Sequence, residues 1–330
     1  MGTAGSIMKA ELIEKEFVFE ADPRFASCHA STVAATADGA VLSAWFGGSG
    51  EGADDVGIWL SRKEGGSWAE PVLMAGEPGL PHWNPVLFAP GGATVLLYYK
   101  VGKTIPAWRT LVRRSDDAGA SWTTPRELVP GDAGGRGPVK NKPIVLSSGA
   151  WLAPASVEGK YWDAFADRSE DGGLTWTASP TVGFVHDDTY EGTGLIQPSL
   201  WESGDRGVHM LLRSRTGRIW RSDSADGGAT WSKAYPTYLP NNSSGIDLDR
   251  TGSGILVLAY NPVGMPKGPR SPLVLGLSAD EGETWKQGAI VEIEPGEFSY
   301  PAVLVRKNEV HLAYTWNRER IAYRRYRIEA

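Results

Sequence analysis

Residues 115–122 read Ser-Asp-Asp-Ala-Gly-Ala-Ser-Trp, and the frame Ser-x-Asp-x-Gly-x-Ser/Thr-Trp recurs at three later places in the chain. A fifth, degenerate copy at residues 61–68 has Lys63 where the other copies have aspartate. The tryptophans that end the five copies are Trp68, Trp122, Trp176, Trp231 and Trp285. Successive tryptophans are therefore 54 or 55 residues apart. A fixed period of this length indicates an array of equivalent structural units.

Each copy of the phrase lies between two short β-like runs, so we interpret it as the turn of a β-hairpin. Its aspartate can accept backbone N–H bonds, and its tryptophan can pack back as an apolar plug. Each copy has only one invariant carboxylate, which disfavours the alternative reading as a calcium loop. A period of about 54 residues matches a four-stranded propeller blade, and the 330-residue chain holds about six of them. The sequence predicts an all-β fold, a six-bladed β-propeller of four-stranded antiparallel blades joined by these hairpins.

The domain organisation follows from the same period. We expect residues 1–10 to be a disordered or extraneous N-terminal segment, and residues 11–330 to form one catalytic propeller domain. A strand at residues 12–20 is expected to close the ring beside the last strands of the chain, since closure removes exposed sheet edges.

Composition and charge exclude several classes of function. The chain has 33 Lys and Arg against 39 Asp and Glu, a net charge of −6, which disfavours nucleic-acid binding. One cysteine, Cys28, excludes an internal disulfide or a Cys-rich metal centre. We expect no metal, no cofactor and no membrane partner, and a monomer. The visible sequence shows no signal peptide and favours the cytoplasm, with export open if a leader precedes it.

A second periodic signal precedes the first strand of each blade. One polar residue stands there in every unit, four times directly before proline: His29, Asn84, Lys142, Gln197, Asp247 and Tyr300. First strands line the central channel of a propeller, so we expect these side chains to converge at one mouth and to form a binding site. The alternative is that they merely hydrate the channel.

Two arginines and one loop add to this candidate site. Arg213 ends an apolar run and Arg270 precedes the fourth complete phrase, and two guanidinium groups at one mouth indicate an anionic ligand group, most simply a carboxylate. Asp54 and Asp55 lie in the glycine-rich stretch 47–57, which is suited to carry an acid over the site, although an ordinary polar turn remains open. The Cys28-His29 pair is disfavoured as a nucleophile and base, because adjacent strand residues point to opposite faces.

The repeated phrase resembles the Asp-box, or bacterial neuraminidase (BNR) repeat, of the sialidase superfamily, and the resemblance extends from about residue 20 to 326. It implies a triad of arginines for the substrate carboxylate, with Arg213 and Arg270 matching its second and third members. It also implies Tyr300 as the nucleophile and Asp55 as the acid/base, with Asp54 as its neighbour. The phrases Cys28-His-Ala-Ser-Thr, Trp83-Asn-Pro-Val and Ser299-Tyr-Pro are similar to a sialidase-like subgroup.

Two positions depart from the sialidase pattern. His29 aligns with the first triad arginine, and Gln197 aligns with the glutamate that activates the tyrosine. A neutral amide cannot take the phenol proton, and a histidine supplies a cation only when protonated.

Three functions remain open. The leading one is an exo-glycosidase that removes a terminal acidic sugar, such as sialic acid or a related 2-keto or uronic sugar, with His29 as a substitute activator of Tyr300. The second is a polysaccharide lyase acting by β-elimination at a uronate, with Lys142 or the arginines neutralising the carboxylate and with His29 and Tyr300 as base and acid. The third is a non-catalytic carbohydrate-binding propeller; a protein-docking scaffold is the least favoured.

Overall fold

The structure is a computed structural model and describes residues 8–329. These residues form 25 β-strands and one short 3₁₀ helix, Ile105–Ala107, and include no α-helix. The predicted all-β class is confirmed. Within the described range no helix is long and apolar enough to cross a membrane.

The first strand of the chain pairs with the last. Strand β1 (Lys9–Phe17) runs antiparallel to β25 (Arg320–Glu329), and Ala10 lies opposite Ile328. Lys9 and Ala10 were expected to belong to the N-terminal segment, but both are part of β1, because they continue its ladder with β25. Met8, which was also expected in that segment, precedes β1 and is partly buried against a core cluster, and residues 1–7 lie outside the described range.

The strands form six sets in chain order, with β1 joining the last set, and their sheets are mostly antiparallel. Set 1 consists of β2 (Ser27–Ala35), β3 (Val41–Gly48), β4 (Gly57–Glu64), β5 (Ser67–Trp68) and β6 (Val72–Ala75). Set 2 consists of β7 (His82–Gly91), β8 (Thr94–Val101), β9 (Arg109–Ser115) and β10 (Arg126–Glu127). Set 3 consists of β11 (Ile144–Val145), β12 (Trp151–Glu158), β13 (Tyr161–Ser169) and β14 (Thr177–Ala178).

The second half of the chain repeats this arrangement. Set 4 consists of β15 (Thr193–Glu202), β16 (Val208–Ser214), β17 (Arg218–Ser224) and β18 (Tyr235–Pro240). Set 5 consists of β19 (Asp247–Arg250), β20 (Leu256–Tyr260), β21 (Leu273–Ser278) and β22 (Lys286–Glu292). Set 6 consists of β23 (Phe298–Arg306), β24 (Glu309–Trp316), β25 and β1. Sets 3 and 4 share one sheet through a short parallel pairing of β13 with β15.

The hydrophobic core lies between the sets rather than within one of them. Six clusters of buried residues join consecutive sets, and the one between sets 1 and 2 also includes Tyr300 of set 6. The cluster that contains Cys28, Trp45 and Tyr323 joins set 6 back to set 1. Trp45 is fully buried there. Burial of this apolar surface holds neighbouring sheets face to face.

The Asp-boxes stabilise the outer hairpins as the sequence predicts. In the box at residues 115–122, Asp117 Oδ1 accepts bonds from the Ser115 hydroxyl and the Ser121 backbone N–H, both at 2.8 Å. The hydroxyl and backbone bonds from Ser121 lower the pKa of Asp117 to about 2. Gly119 has φ +89°, a conformation that glycine adopts without strain, and its carbonyl accepts the Trp122 indole N–H at 3.1 Å.

The degenerate Asp-box at residues 61–68 bonds to strand β1 instead of closing its own turn with a carboxylate. Lys63, which replaces the aspartate, donates to the carboxylates of Glu14 and Glu16 in β1. Trp68 of the same box donates its indole N–H to Glu16 at 2.7 Å. The substitution therefore attaches the set 1 hairpin to the strand that joins the two ends of the chain.

Candidate functional site

The first strand of each set lines one shared cavity, and we call these first strands the inner strands. Four of the six inner strands have a bulge at the same place. The antiparallel registers shift after His29, Trp83, Ile196 and Ser299, and the residues that follow them, Ala30, Asn84, Gln197 and Tyr300, have positive φ between 37° and 54°. A bulge turns the bulged side chain away from the regular alternation of the strand. The shared bulge thus sets the direction of Asn84, Gln197 and Tyr300, three of the four polar residues that precede proline.

This register corrects three of the six predicted equivalences. The Thr32 and Ser199 hydroxyls, two residues after a bulge, accept the N–H of Leu87 and Leu248 in the next set. Asp247 Oδ2 accepts Val303 N in the same way at 2.8 Å, so Asp247 belongs two residues beyond the bulge level. By this register the residues at bulge level are Ala30, Asn84, Lys140, Gln197, Gly245 and Tyr300. Ala30, Lys140 and Gly245 thus stand where the sequence analysis placed His29, Lys142 and Asp247, since each lies six residues before an equivalent turn bond.

Tyr300 and Arg213 form the centre of the candidate site. Both are more than nine-tenths buried, and Arg213 Nη1 donates to the Tyr300 hydroxyl oxygen at 2.7 Å. The same Nη1 donates to Gln197 Oε1 at 2.9 Å. The guanidinium carbons of Arg213 and Arg270 lie 5.5 and 5.6 Å from the centre of the Tyr300 ring. The structure therefore brings Arg213, Arg270, Gln197 and Tyr300 together, as the sequence analysis expected.

A third arginine, Arg318, joins this cluster and was missed. Glu297 Oε1 accepts a bond from Arg270 Nη1 and another from Arg318 Nε, both at 2.7 Å. Burial alone would raise the pKa of Glu297, but the charges of Arg270 and Arg318 hold it below its ordinary value. Arg318 lies in the turn between β24 and β25, where no repeated motif marks it.

His29 is neutral. Its ring is 1% exposed and lies 4.1 Å from the Tyr300 ring, centre to centre, and its Nδ1 lies 2.9 Å from the Thr315 hydroxyl. Burial, with the nearby positive charges of Arg318 and Arg270, lowers the pKa of His29 well below its ordinary value. His29 therefore does not replace the missing triad cation. Its Nε2 has no hydrogen-bond partner among residues 8–329, and it carries a lone pair beside Tyr300 in the tautomer whose Nδ1–H donates to Thr315.

Gln197 links the arginine to a carboxyl group that the sequence analysis did not identify. Its Nε2 donates to Glu158 Oε1 at 3.3 Å, and Ser156 donates to the same oxygen at 3.3 Å. Burial raises the pKa of Glu158, although the charge of Arg213 opposes the shift. Gln197 thus bridges Arg213 and Glu158. Glu158 ends β12 and has no counterpart in the repeated phrases.

The loop with Asp54 and Asp55 reaches the cluster through Glu51. Asp54 and Asp55 are exposed, and Asp55 accepts bonds from the Ser49 backbone N–H at 3.0 Å and hydroxyl at 2.8 Å. Glu51 Oε2 lies 2.6 Å from Arg318 Nη1 and ties the loop to the arginines. To act on a ligand at Tyr300, the Asp55 carboxylate has to leave its bonds to Ser49.

Of the three remaining predicted site residues, Lys142 and Asp247 lie away from the bulge level, whereas Asn84 lies at it. Lys142 donates to Leu248 O at 2.8 Å, lies 3.5 Å from Asp247, and lines a cavity of about 360 Å³ together with residues from the inner strands of all six sets. Asp247 accepts bonds from Ser199 and from backbone N–H groups, so its oxygens hold strands together. Asn84 is buried at bulge level.

Metal binding has no support in the described part of the chain. Residues 8–329 contain no group of three or more His, Cys, Asp or Glu side chains arranged to hold an ion. Cys28 is buried, and burial raises the pKa of its thiol, which leaves it a poor nucleophile.

Comparison with known proteins identifies the family. The profile of the BNR repeat-like domain matches residues 39–312, most of the chain, so this protein belongs to that family, within the sialidase-like BNR superfamily. None of the curated proteins matches the sequence.

Solved structures share the fold. A protein of unknown function from Dyadobacter fermentans superposes with a TM-score of 0.80 at 16% identity, covering 97% of this chain and 100% of that one. The Hadza microbial sialidase Hz136 superposes with a TM-score of 0.78 at 15% identity, covering 95% of this chain and 68% of that one. Trypanosoma rangeli sialidase in complex with the inhibitor DANA superposes with a TM-score of 0.73 at 14% identity, covering 94% of this chain and 59% of that one. At such identities the likeness concerns the fold alone.

Proposed function

We propose that this protein is a glycoside hydrolase of the exo-α-sialidase type, built as a six-bladed β-propeller, which removes a terminal acidic sugar from a glycan. The sugar is sialic acid or a related 2-keto or uronic sugar. The observation that carries the proposal is the Arg213 bond to the hydroxyl oxygen of Tyr300, at 2.7 Å, inside a cluster of three arginines.

Ring closure is supported by the order of contacts between strand sets. Six core clusters join the sets in sequence and return from set 6 to set 1. One cavity is lined by residues from the inner strands of all six sets. Each set is then one blade, and the inner strands surround a central channel.

The chemistry follows from charge. Arg213, Arg270 and Arg318 supply guanidinium groups that suit the carboxylate of an acidic sugar, with Glu297 holding the last two in place. As Tyr300 attacks the anomeric carbon, its oxygen bonds to that carbon, the phenol proton passes to His29 Nε2, and the bond to the leaving oxygen breaks. The bond from Arg213 orients the Tyr300 oxygen for this attack. Asp55 donates a proton to the leaving oxygen after its loop moves over the ligand.

His29 favours a second candidate function, elimination at a uronate. A neutral imidazole with an unpartnered Nε2 beside Tyr300 is a suitable base for removing the proton next to a carboxylate. The arginines would neutralise that carboxylate, and Tyr300 would protonate the leaving oxygen.

One experiment separates these functions. Wild type and Tyr300→Phe are incubated with aryl glycosides of sialic acids, related 2-keto sugars and uronates, and with uronate oligosaccharides. Aryl release by wild type that is lost in the variant supports the hydrolase. Growth of ultraviolet absorbance from an unsaturated product supports the lyase. Binding without turnover contradicts both and leaves a carbohydrate-binding propeller.

A further inference from the structure

The dipeptide Lys140-Asn141 lies beside Tyr300, and neither residue is among the site residues predicted from the sequence. Both side chains are buried. Lys140 Nζ donates to Asn141 Oδ1 at 2.8 Å, to Ile246 O at 2.9 Å and to Pro301 O at 2.5 Å. An ammonium group has three N–H bonds, so all its donors are used. Lys140 therefore cannot hydrogen-bond a ligand without breaking a bond that joins sets 3, 5 and 6.

Asn141 completes the link to set 4. Its Nδ2 donates to the carbonyl oxygens of Gln197 at 3.1 Å and Pro198 at 2.9 Å. Gln197 and Tyr300 have φ of 52° and 51°, values that non-glycine residues hold only when the surroundings enforce them. The two adjacent side chains thus bind the backbone at or directly after both strained positions.

Lys140 also brings a charge to Tyr300. Its Nζ lies 5.9 Å from the centre of the Tyr300 ring. Burial lowers the pKa of Lys140 to about 7; the carboxylate of Asp247 opposes this shift, whereas Lys142 and Arg213 add to it. His29, which also feels the charge of Lys140, stays neutral.

Gly245 shows how tightly this lysine is held. A Cβ atom at Gly245 would lie 2.9 Å from Lys140 Cε and 3.5 Å from Tyr300 Cδ2. Gly245 does not have a left-handed φ, so an alanine there would act on its neighbours rather than on its own backbone.

We propose that Lys140 is a positioning residue, which fixes Tyr300 against Arg213 and places a positive charge beside the candidate site. Positioning is independent of what the protein catalyses. The part of the proposal that concerns anions rests on the proposed function.

The positioning claim is tested by crystal structures of ligand-free wild type, Lys140→Met and Gly245→Ala. We expect the Tyr300 oxygen to move out of hydrogen-bond distance of Arg213 Nη1 in both variants. Gly245→Ala keeps the lysine and serves if Lys140→Met does not fold. Lys100→Met is the matched control, because Lys100 is also buried, donates to Thr110 and to Arg136 O, and has a pKa lowered by burial to about 8. An unmoved Tyr300 in the variants overturns the proposal.

The charge is tested by calorimetry with N-acetylneuraminic acid and glucuronic acid in two buffers of different ionisation enthalpy. Lys140 is charged below its pKa and neutral above it, so we expect anion affinity to fall by up to about tenfold from pH 6 to pH 8, with proton uptake near pH 7. Lys140→Met should lose both effects, and Lys100→Met should keep them. Unchanged proton uptake in Lys140→Met overturns the charge claim. If neither sugar binds, the proposed function and the charge claim fail together, and the crystal structures still decide the positioning claim.

Discussion

Arg213 Nη1 donates to the hydroxyl oxygen of Tyr300 at 2.7 Å, and this bond joins strand sets 4 and 6 at the level where their inner strands bulge. Its donor is a permanent cation and its acceptor is the candidate nucleophile. The pair therefore combines orientation of the tyrosine with attraction for an anionic ligand.

Removal of this cation should weaken binding of an acidic sugar. We expect Arg213→Met to raise Kd by at least about tenfold, since hydrogen bonds to a charged group contribute roughly 1.5–3 kcal/mol. Calorimetry measures the change. Arg218→Met is the control, because the exposed Arg218 side chain donates to the carbonyls of Thr237 and Tyr238. Equal affinity of wild type and Arg213→Met would exclude the proposed carboxylate contact.

His29 should stay neutral over the physiological pH range. Because its folded pKa is depressed well below 6.5, we expect its imidazole NMR signals not to titrate between pH 8 and pH 5. As the pH falls through about 6.5, the unfolded chain takes up the proton first, so stability declines, and His29→Gln should flatten this part of the curve. Urea unfolding at several pH values measures the slope. A His29 signal that titrates near pH 6.5 would refute the neutral assignment.

The sequence predicts the periodic part of the molecule well. The five repeated phrases that end at Trp68, Trp122, Trp176, Trp231 and Trp285 lie one in each of sets 1 to 5. They were visible in the sequence because a hairpin turn depends on a few adjacent residues. Bulges are harder to place, because they shift the alignment by a residue or two: His29 and Lys142 were chosen where the structure has Ala30 and Lys140.

Residues that act through long-range contacts left no signal. Arg318 and Glu158 reach the site from a turn and from a strand end, and only the folded chain brings them beside Arg270 and Gln197. The neutral state of His29 depends on burial by residues distant in sequence, which no local pattern encodes.

The Glu51–Arg318 ion pair should restrain the loop that carries Asp55. We expect Arg318→Met to increase the rate of backbone amide exchange in residues 49–56 by about two- to fivefold. This factor corresponds to the free energy that a partly exposed ion pair contributes to the closed loop. Hydrogen–deuterium exchange with mass spectrometry resolves this segment. Arg320→Met provides the comparison, because Arg320 pairs with the exposed Glu20 instead. If both variants leave the loop unchanged, Arg318 does not position Asp55.

The Asp-box carboxylates should stabilise the fold above pH 4. We expect Asp117→Ala to lower Tm at pH 7 by about 2–4 °C, since it removes bonds to Ser115 and Ser121. The pKa of Asp117 is depressed to about 2, so its contribution is complete above its ordinary value near 3.8 and is lost as the pH falls towards 2. Asp116→Ala is the neighbouring control. A deficit at pH 2 as large as the one at pH 7 would contradict this account.

The central claim is that Tyr300 is the nucleophile of an acidic-sugar hydrolase. The most direct measurement is covalent trapping: wild type is incubated with a fluorinated acidic sugar that slows breakdown of a glycosyl-enzyme, and its peptides are analysed by mass spectrometry. The account predicts one sugar attached to the peptide that contains Tyr300, and no adduct in Tyr300→Phe. Attachment at another residue, or turnover of the parent sugar without any adduct, would contradict it.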